Sequence, residues 1–262
     1  MILAARGLNV SLGQRGVLRD IDLDFRPGSL TVIVGPNGAG KTTLLKSLAN
    51  LVRPRTGTVA LGAEPISSLT PLARARMVAY LPQAGNVSWP LAVRDVVALG
   101  RLPHNERPGS LTDAGENAVA AAIDALGLRG FETRRATELS GGERARVLLA
   151  RALATNARVL LADEPVAALD PRHQLLVLEV LRKTARQGAG VAAVMHDLGL
   201  AARFADEIVL MNAGQVVAVG PPRSVLTPSR LAQTFGIEAS VIELDGEVTI
   251  VGQRAVASSG AS

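Results

Sequence analysis

The chain has 262 residues, of which 48% are hydrophobic, and carries a formal net charge of +5. It contains no cysteine, which excludes disulfide bonds and thiolate metal sites. No apolar run approaches the roughly 18 residues of a membrane-spanning helix, and aromatic residues make up only 2% of the chain, which disfavours binding of single-stranded nucleic acid by base stacking.

Two half-buried strands are predicted near the N-terminus. Strand-like alternation begins within the first residues, so we expect no N-terminal signal peptide. The turn between the two strands is Gly13-Gln14-Arg15-Gly16. Apolar residues lie at strand spacing on both sides of this turn: Val10, Leu12, Val17, Leu18, Ile21, Leu23 and Phe25.

A glycine-rich loop follows the next predicted strand, the apolar run Leu30–Val34. The loop, Gly35-Pro36-Asn37-Gly38-Ala39-Gly40-Lys41-Thr42, matches the pattern G-x-x-x-x-G-K-[ST], and leucines at helical spacing follow it. Backbone N–H groups of such a loop and of the helix N-terminus bind phosphate oxygens. Lys41 would place a positive charge at the β- and γ-phosphates, and the Thr42 hydroxyl would ligate Mg²⁺. The alternative, a chance glycine-rich turn, does not explain the strand and the helix on either side.

The middle of the chain is predicted to be mainly helical. A short strand at residues 58–61 precedes it. From about residue 84 to residue 156, apolar residues recur with helical spacing in the segments 93–99, 114–126 and 143–154. We therefore expect a helical segment between two parts of the chain that contain strands.

Buried strands return after this helical segment, at residues 159–162, 191–195 and 208–211, with a final strand at 216–219. Because helix-period segments separate them, the sheet should be mostly parallel. The first of these strands leads into Asp163 and Glu164. Asp163 could orient Mg²⁺, usually through water, and Glu164 could polarise an attacking water as a general base. Taken alone, the two acids would also fit an ordinary strand followed by a helix N-cap.

A second glycine-containing motif opens the helix predicted at 143–154. Ser140, Gly141 and Gly142 precede Glu143, and a helix that begins in this way presents its N-terminal N–H groups to an anion. One nucleotide does not need two phosphate sites from one subunit, whereas two subunits arranged head to tail would use both. The simpler interpretation, a serine N-cap with glycines in the turn, explains only the start of the helix.

The C-terminal part is predicted to contain one more helix and a hairpin. Thr227-Pro228-Ser229 offers a cap and a proline suited to the first helical turn, and Gly236 ends this helix. Predicted strands at 241–244 and 248–251 flank Asp245-Gly246, which is a signal for a type I′ turn.

Taken together, these motifs resemble those of the ATP-binding subunits of ABC transporters. The resemblance covers roughly residues 3–236 and includes the Walker A loop at 35–42, the signature at 139–143 and the Walker B strand at 159–164. Three shorter motifs also match: Gln83 in Tyr80-Leu81-Pro82-Gln83, Asp170 in Ala168-Leu169-Asp170, and His196 in Val194-Met195-His196-Asp197.

The resemblance implies an α/β fold of the P-loop NTPase (RecA-like) type. It would have a mostly parallel sheet core, an antiparallel β edge and an inserted α-helical subdomain. The implied division of the chain is a first part of the nucleotide-binding core at 1–83, a helical signature subdomain at 84–156, a second part of the core at 157–222, and a short C-terminal extension at 223–262. The end of the extension, from residue 255, is small and polar and is expected to be disordered.

The resemblance also implies a role for each motif residue, with ATP and Mg²⁺ as cofactors. His196 would contact the γ-phosphate, and Gln83 would sense Mg²⁺ or the attacking water and link the site to a membrane partner. Together with Lys41 and Glu164, these two residues form the expected catalytic set. Mg²⁺ would be held by Thr42, Gln83 and Asp163. The phosphates would be bound by the loop residues Gly35, Pro36, Asn37, Gly38, Ala39, Gly40, Lys41, Thr42 and Thr43.

Residues outside the Walker A loop complete the expected nucleotide site. Ser140 and Gly142, with Gly141 between them, would reach the γ-phosphate of the nucleotide on the other subunit, and Asp170 would line the dimer interface. Leu12 departs from the family's pattern, which usually has an aromatic residue here that stacks on adenine. Leu12 can pack on the base but has no π-face, and base stacking is worth about 1–3 kcal/mol. We therefore expect weak selectivity between ATP and GTP.

The segment 89–104 resembles the importer branch for iron chelates (siderophores), haem and cobalamin, which has a similar A-L-G-R-x-P-H sequence. Trp89, the only tryptophan, would anchor a permease, or alternatively fill the helical subdomain's own core. The resemblance thus predicts the ATP-hydrolysing subunit of a bacterial importer. It would act as a homodimer with transmembrane permease subunits and, indirectly, a periplasmic substrate-binding protein. It would be peripheral on the cytoplasmic side of the inner membrane and would not bind nucleic acid.

Two other classes stay open at this point. One is the ATPase subunit of another ABC transporter, with a different substrate or an export function. The other is a non-transport ABC ATPase of nucleic-acid work or translation. Proteins of that kind commonly carry a long coiled-coil insertion or two ATPase domains in tandem, whereas this chain has one compact set of motifs.

Overall fold

The predicted strands and helices occur in the predicted order in the computed structural model, together with elements that were not predicted; the structure describes residues 1–83, 90–244 and 247–255. The strands in these residues are β1 (Leu3–Leu12), β2 (Arg15–Phe25), β3 (Leu30–Val34), β4 (Thr56–Leu61), β5 (Glu64–Pro65), β6 (Val78–Leu81), β7 (Val159–Asp163), β8 (Gly190–Val194), β9 (Glu207–Asn212), β10 (Gln215–Gly220), β11 (Ile237–Leu244) and β12 (Glu247–Ala255). The helices are α1 (Lys41–Leu48), α2 (Pro71–Met77), α3 (Val93–Ala98), α4 (Asp113–Ala125), α5 (Gly141–Ala154), α6 (Pro171–Arg186), α7 (Leu198–Phe204), α8 (Pro222–Val225) and α9 (Pro228–Phe235).

A six-stranded sheet in the order β10-β9-β3-β8-β7-β6 carries the residues of the predicted phosphate site. All its neighbouring strands are parallel except β9 and β10, so the predicted mostly parallel sheet with an antiparallel edge is confirmed. Strands β3, β7 and β8 are buried along their whole length, which accounts for their continuous apolar sequences. Because these three strands are parallel, their carboxyl ends meet at one edge of the sheet, where open α/β sheets bind ligands.

A second sheet, antiparallel and in the order β2-β1-β4-β5, packs with α1 against one face of the central sheet. Buried hydrophobic residues form one core on each face of the central sheet, and the side chains of β3 contribute to both. Ile33 lies in the core beneath this second sheet, whereas Val32 and Val34 lie in the core on the opposite face. Successive side chains of a strand point to opposite faces, so β3 is buried from both sides.

Helices α3, α4 and α5 pack on one another between β6 and β7 in the chain. The segment 99–104 is a 3-10 helix that lies on the C-terminal end of α5. There Arg101 Nη1 donates to the carbonyl oxygen of Ala154 at 3.1 Å, and His104 Nε2 lies 2.9 Å from that of Thr155. Arg101 also forms a buried ion pair with Glu106. The subdomain boundaries at 84 and 156 stay a prediction.

Replacing Gly100 with alanine should destabilise the protein, because the 3-10 helix packs too closely on α5 to admit a side chain. A Cβ at this position would lie 2.1 Å from the carbonyl oxygen of Arg151 and 3.2 Å from the Cβ of Ala154. We expect Gly100→Ala to lower the free energy of unfolding by about 1–3 kcal/mol, the usual cost of overpacking. Urea denaturation measures it. Gly252→Ala, where a Cβ meets no atom within 4 Å, is the control and should change little.

The C-terminal helix and hairpin are present as predicted. Thr227 caps α9, and Gly236 ends it in the left-handed conformation with φ 65°. Strands β11 and β12 pair antiparallel, whereas the predicted turn residues Asp245-Gly246 lie outside the described residues. The predicted disorder from residue 255 is wrong at its first residue, because Ala255 pairs with Ile237. Residues 256–262 and Trp89 lie outside the described residues.

Four of the strands and helices given above are absent from the sequence-based prediction: β5, α8, helix α2, and strand β6, which directly follows α2. Strand β6 has only four residues, and so short an apolar run cannot be assigned to strand or helix by periodicity. It forms the edge of the central sheet through parallel pairing with β7. This pairing brings Tyr80 and Gln83 to the edge of the sheet that carries Asp163.

Candidate functional site

The Walker A loop lies between the carboxyl end of β3 and the start of α1. Gly38 and Gly40 have φ angles of 80° and 97°, in the left-handed region that favours glycine. Lys41 is buried, and its Nζ donates to the carbonyl oxygens of Gly35 at 2.7 Å and Pro36 at 3.0 Å. The loop therefore curves around the ammonium group, and its amides together with the N-terminus of α1 form a site suited to phosphate.

The charge of Lys41 is balanced by the acids at the end of β7. Burial lowers the pKa of Lys41, while Glu164 and Asp163 act in the opposite direction. A cation held in this way among carboxylates and carbonyl oxygens stays close to the position where phosphate charge would lie. The arrangement fits the role predicted for Lys41, which stays a prediction.

Asp163 is almost fully buried and is held by two hydroxyl groups. Thr42 Oγ1 donates to its Oδ1 at 3.1 Å, and Tyr80 Oη lies 3.5 Å from its Oδ2. Burial raises the pKa of Asp163, against which the hydrogen bond from Thr42 acts. Burial, assisted by Asp163, raises the pKa of Tyr80 to about 12. Tyr80 therefore stays a neutral donor to this carboxylate.

The oxygen atoms of Thr42 and Asp163 fit Mg²⁺ better than a transition metal. Mg²⁺ binds oxygen, commonly through one or two carboxylates together with substrate phosphates. Among the residues that the structure describes, no group of three or more His, Cys, Asp and Glu side chains could hold a metal ion by itself. A metal here would accordingly be shared between the protein and the phosphates of a nucleotide.

Glu164 and His196 form a pair at the ends of β7 and β8. His196 Nε2 lies 2.6 Å from Glu164 Oε1, and the Glu164 side chain is 12% exposed. Glu164 has a φ of 52°, which is strained for a residue with a side chain, and its backbone N–H donates to the carbonyl oxygen of Val194 at 3.2 Å. The backbone thus turns the carboxylate out of the sheet, towards the Walker A loop.

These side chains border one cleft of about 720 Å³. Gln83 lines it together with Lys41, Thr42, Glu164 and His196, and the loop residues 37–43 form its floor. Leu12 is 51% exposed and lines the cleft from the β1–β2 hairpin, which contacts the Walker A loop and the β9–β10 turn. The structure therefore brings together the residues predicted to act on a nucleotide from within one chain.

The signature residues lie away from this cleft, and none of them lines it. Ser140 caps α5: its Oγ accepts from the N–H of Glu143 at 3.2 Å, and the Glu143 carboxylate accepts from the N–H of Ser140 at 2.8 Å. Ser140 and Gly141 are exposed, and Gly142 lies beside Ala168. The first turn of α5 is thus rigidly formed and open to the solvent.

Asp170 also lies outside the cleft and caps α6. Its carboxylate accepts from the N–H of His173 at 3.0 Å and lies 2.7 Å from Nδ1 of the same residue. These bonds with His173 hold the pKa of Asp170 below its usual value. Asp170, Ser140 and Gly141 are thus exposed outside the cleft.

The sequence-based prediction missed several residues that line the cleft. There are six of them, and they come from the β1–β2 hairpin and the β9–β10 turn beside the Walker A loop: Arg15, Gly16, Val17, Arg19, Ala213 and Gly214. The sequence-based prediction places Arg15 within the turn at residues 13–16, whereas in the structure the turn has only two residues and Arg15 begins β2, paired with Leu12. The role of Tyr80 could not be predicted, because the strand that positions it was not recognised.

Comparisons with known proteins agree with these observations. A family model described as ABC transporter matches residues 18–167. The chain is 46% identical over 235 residues to a hemin import ATP-binding protein, HmuV, of Streptomyces coelicolor, covering 90% of this chain and 83% of that protein. It is 45% identical over 242 residues to a cobalamin import ATP-binding protein, BtuD, of Halobacterium salinarum, covering 92% of this chain. It spans only 60% of the length of that relative.

Solved structures agree on the fold. A structure described as an inward-facing, metal-chelate type ABC transporter aligns with a TM-score of 0.80 and 25% identity over 96% of this chain and 97% of that chain. The ADP conformation of MJ1267, an ATP-binding cassette, aligns with a TM-score of 0.77 and 23% identity over 89% of this chain and 98% of that chain. In the part of the chain that is described, no helix is long and apolar enough to cross a membrane.

Proposed function

Because the chain belongs to the ABC transporter family, we propose that it is the ATP-hydrolysing subunit of an importer for haem, cobalamin or an iron-siderophore. One observation carries the catalytic part of the proposal. Lys41, Thr42, Glu164 and His196 border a single cleft at the phosphate-binding loop, and Asp163 lies buried behind Thr42, from which it accepts a hydrogen bond. This is the set of groups that hydrolysis of a nucleoside triphosphate requires.

The chain's own residues would divide the work of hydrolysis. The loop amides and Lys41 bind and orient the phosphates, and Thr42 and Asp163 hold the metal. When bound, Mg²⁺ supplies neutralisation of the negative charge that develops on the phosphates. Glu164 accepts a proton from the attacking water, which is the role of a general base.

His196 is proposed to position Glu164. Its Nε2 lies within hydrogen-bond distance of Oε1, which leaves the second carboxylate oxygen to accept from water. Gln83 borders the same end of the cleft and directly precedes residues 84–89. It is therefore suited to report the state of the site to the helical segment that follows.

The proposed active unit is a homodimer in which each site is shared. Within one chain the signature turn does not line the cleft, and it is exposed as a rigid helix N-terminus. Such a turn suits a second phosphate contact. A second copy placed head to tail would bring its Ser140 and Gly142 to the γ-phosphate, with Asp170 at the interface.

The proposed substrate class rests on the relatives. Those described above are named for import of hemin and of cobalamin, and one structural neighbour is described as of metal-chelate type. We propose the same partners as in an importer: transmembrane permease subunits and, indirectly, a periplasmic substrate-binding protein. The chain would then be peripheral on the cytoplasmic side of the inner membrane and would bind no nucleic acid.

Co-purification from native membranes tests this assignment. An importer subunit should bring down a permease and, through it, a substrate-binding protein. ATP-dependent uptake of labelled haem, corrinoid or ferric siderophore should follow when the purified complex is placed in proteoliposomes. A permease without a binding protein would favour an exporter, and nucleic acid in its place would favour a non-transport ATPase.

Base selectivity should be weak, because Leu12 offers no aromatic face to the base. We expect the dissociation constants of Mg-ATP and Mg-GTP to lie within roughly tenfold, since one missing stacking contact is worth about 1–3 kcal/mol. Leu12→Tyr should tighten ATP binding. Isothermal titration calorimetry measures both effects. An unchanged ATP dissociation constant in Leu12→Tyr would show that residue 12 does not lie beside the base.

A further inference from the structure

We propose that Arg15 binds the nucleobase by stacking its guanidinium plane on the base, and so takes the place of the missing aromatic residue at Leu12. This inference rests on the proposed nucleotide-binding function and adds to it a residue that selects the base. Three independent features carry it: the register of the β1–β2 hairpin, the contact of this hairpin with the phosphate loop, and the chemistry of the Arg15 side chain.

The register of the hairpin places Arg15 beside Leu12. The two residues pair directly across the turn Gly13-Gln14, and side chains opposite each other in an antiparallel pair lie on the same face. Val17 follows two residues later in β2 and therefore shares that face. All three residues line the cleft, so this face of the hairpin forms one of its walls.

The hairpin is fixed to the phosphate loop at Val17. A Cβ on Gly40 would lie 3.3 Å from the carbonyl oxygen of Val17, and one on Gly214 only 2.2 Å from it. Strand β2 thus runs between the Walker A loop and the β9–β10 turn without room for a side chain on either. Arg15 lies two residues before Val17 in this strand, at a distance of roughly 7 Å from it.

The direction of a bound nucleotide follows from the two ends of the cleft. Glu164, His196 and Gln83 follow β7, β8 and β6, which lie on one side of β3, whereas the hairpin contacts the β9–β10 turn on the other side. The terminal phosphate would therefore be cleaved at the first of these ends. With the phosphates on the loop, the sugar and base extend towards the other end. The residues there are Leu12, Arg15 and Val17.

The Arg15 side chain is suited to a flat, uncharged partner. It is exposed, and among the described residues no carboxylate or carbonyl group accepts a hydrogen bond from it. A guanidinium group is planar, delocalised and weakly hydrated, and it stacks on aromatic rings. No aromatic residue is among those that line the cleft in the described part of the chain. Two arginines line the cleft, Arg15 and Arg19, and Arg15 is the one that lies directly opposite Leu12.

Stacking of this kind predicts which bases should bind more tightly. A guanidinium plane that lies on the ring forms no hydrogen bonds to the base edge, so it distinguishes bases by the area of their π-face. We expect Mg-ATP and Mg-GTP to bind similarly and Mg-CTP to bind more weakly. Inorganic tripolyphosphate, which has no base, should gain nothing from Arg15.

Calorimetry at fixed ionic strength tests the proposal with Mg-ATP, Mg-CTP and magnesium tripolyphosphate. Arg15→Ala should weaken binding of Mg-ATP about 3- to 30-fold, the range of a cation–π contact, and leave tripolyphosphate unchanged. Arg15→Lys keeps the charge but not the plane that stacks, so its affinity for Mg-ATP should lie between that of Arg15→Ala and that of the wild type. Arg55→Ala removes an exposed arginine that does not line the cleft, and it should bind as the wild type does.

Three results would overturn the inference: wild-type ATP affinity in Arg15→Ala, wild-type ATP affinity in Arg15→Lys, or an equal loss for ATP and tripolyphosphate in Arg15→Ala. The last two results would show that Arg15 acts through its charge alone and not by stacking. These outcomes are distinct from failure of the proposed function, in which the wild-type protein itself would bind neither Mg-ATP nor tripolyphosphate. Arg15 is exposed, so its variants should fold, and their thermal melting curves verify this.

Discussion

Glu164→Gln should bind Mg-ATP with nearly wild-type affinity and hydrolyse it at less than about one hundredth of the wild-type rate. A positioned general base contributes typically 10²- to 10⁴-fold to a rate, and glutamine cannot accept the proton. The substitution keeps the shape of the side chain at a residue with φ 52°, so the strained backbone is not further disturbed. Hydrolysis should therefore be lost without loss of the site.

Single-turnover hydrolysis and calorimetry measure the two halves of this prediction. Because ATP would persist in the site, the variant should also accumulate as an ATP-bound dimer in size-exclusion chromatography. Glu179→Gln, the same change at an exposed position of α6, is the matched control and should hydrolyse ATP normally. Hydrolysis by Glu164→Gln at the wild-type rate would contradict the assignment of the base.

Much of the fold follows from local sequence patterns. The fully buried strands β3, β7 and β8 are continuous apolar runs, and such runs separated by helices indicate a parallel sheet. The carboxyl ends of parallel strands meet at one edge, so Asp163 and His196 could be expected near the Walker A loop before any distance was known.

The remaining contacts depend on pairing between strands that are distant in sequence. Tyr80 reaches Asp163 only because β6 pairs in register with β7, and a four-residue apolar run gives no periodicity from which to recognise β6. The left-handed backbone of Glu164 likewise cannot be predicted from the sequence, because its N–H donates to the carbonyl oxygen of Val194, which lies on the neighbouring strand. The place of Arg15 follows from the hairpin register rather than from any motif.

The proposal of a shared site is supported by the separation of the two phosphate-binding motifs of the chain, the Walker A loop and the signature turn. The cleft contains the Walker A loop and the proposed base, whereas the signature turn is exposed elsewhere on the same chain. If the two motifs belong to one site, they must come from two copies. Ser140→Arg would then block the site of the partner, and Lys41→Ala would disable the site of its own chain.

Hydrolysis by heterodimers isolated with two affinity tags tests this central claim most directly. Lys41→Ala and Ser140→Arg should each be nearly inactive alone. A heterodimer of the two single variants retains one intact shared site and should regain up to about half of the wild-type dimer's activity, if the two sites act independently.

The second heterodimer pairs the wild-type chain with a chain that carries both substitutions. Each of its sites then contains one damaged half, so a shared site predicts no activity. A site built within one chain predicts the opposite, because the wild-type chain would keep all its parts. The measurement is phosphate release by this second heterodimer. Background activity is the result we expect, and about half of the wild-type rate would contradict the account.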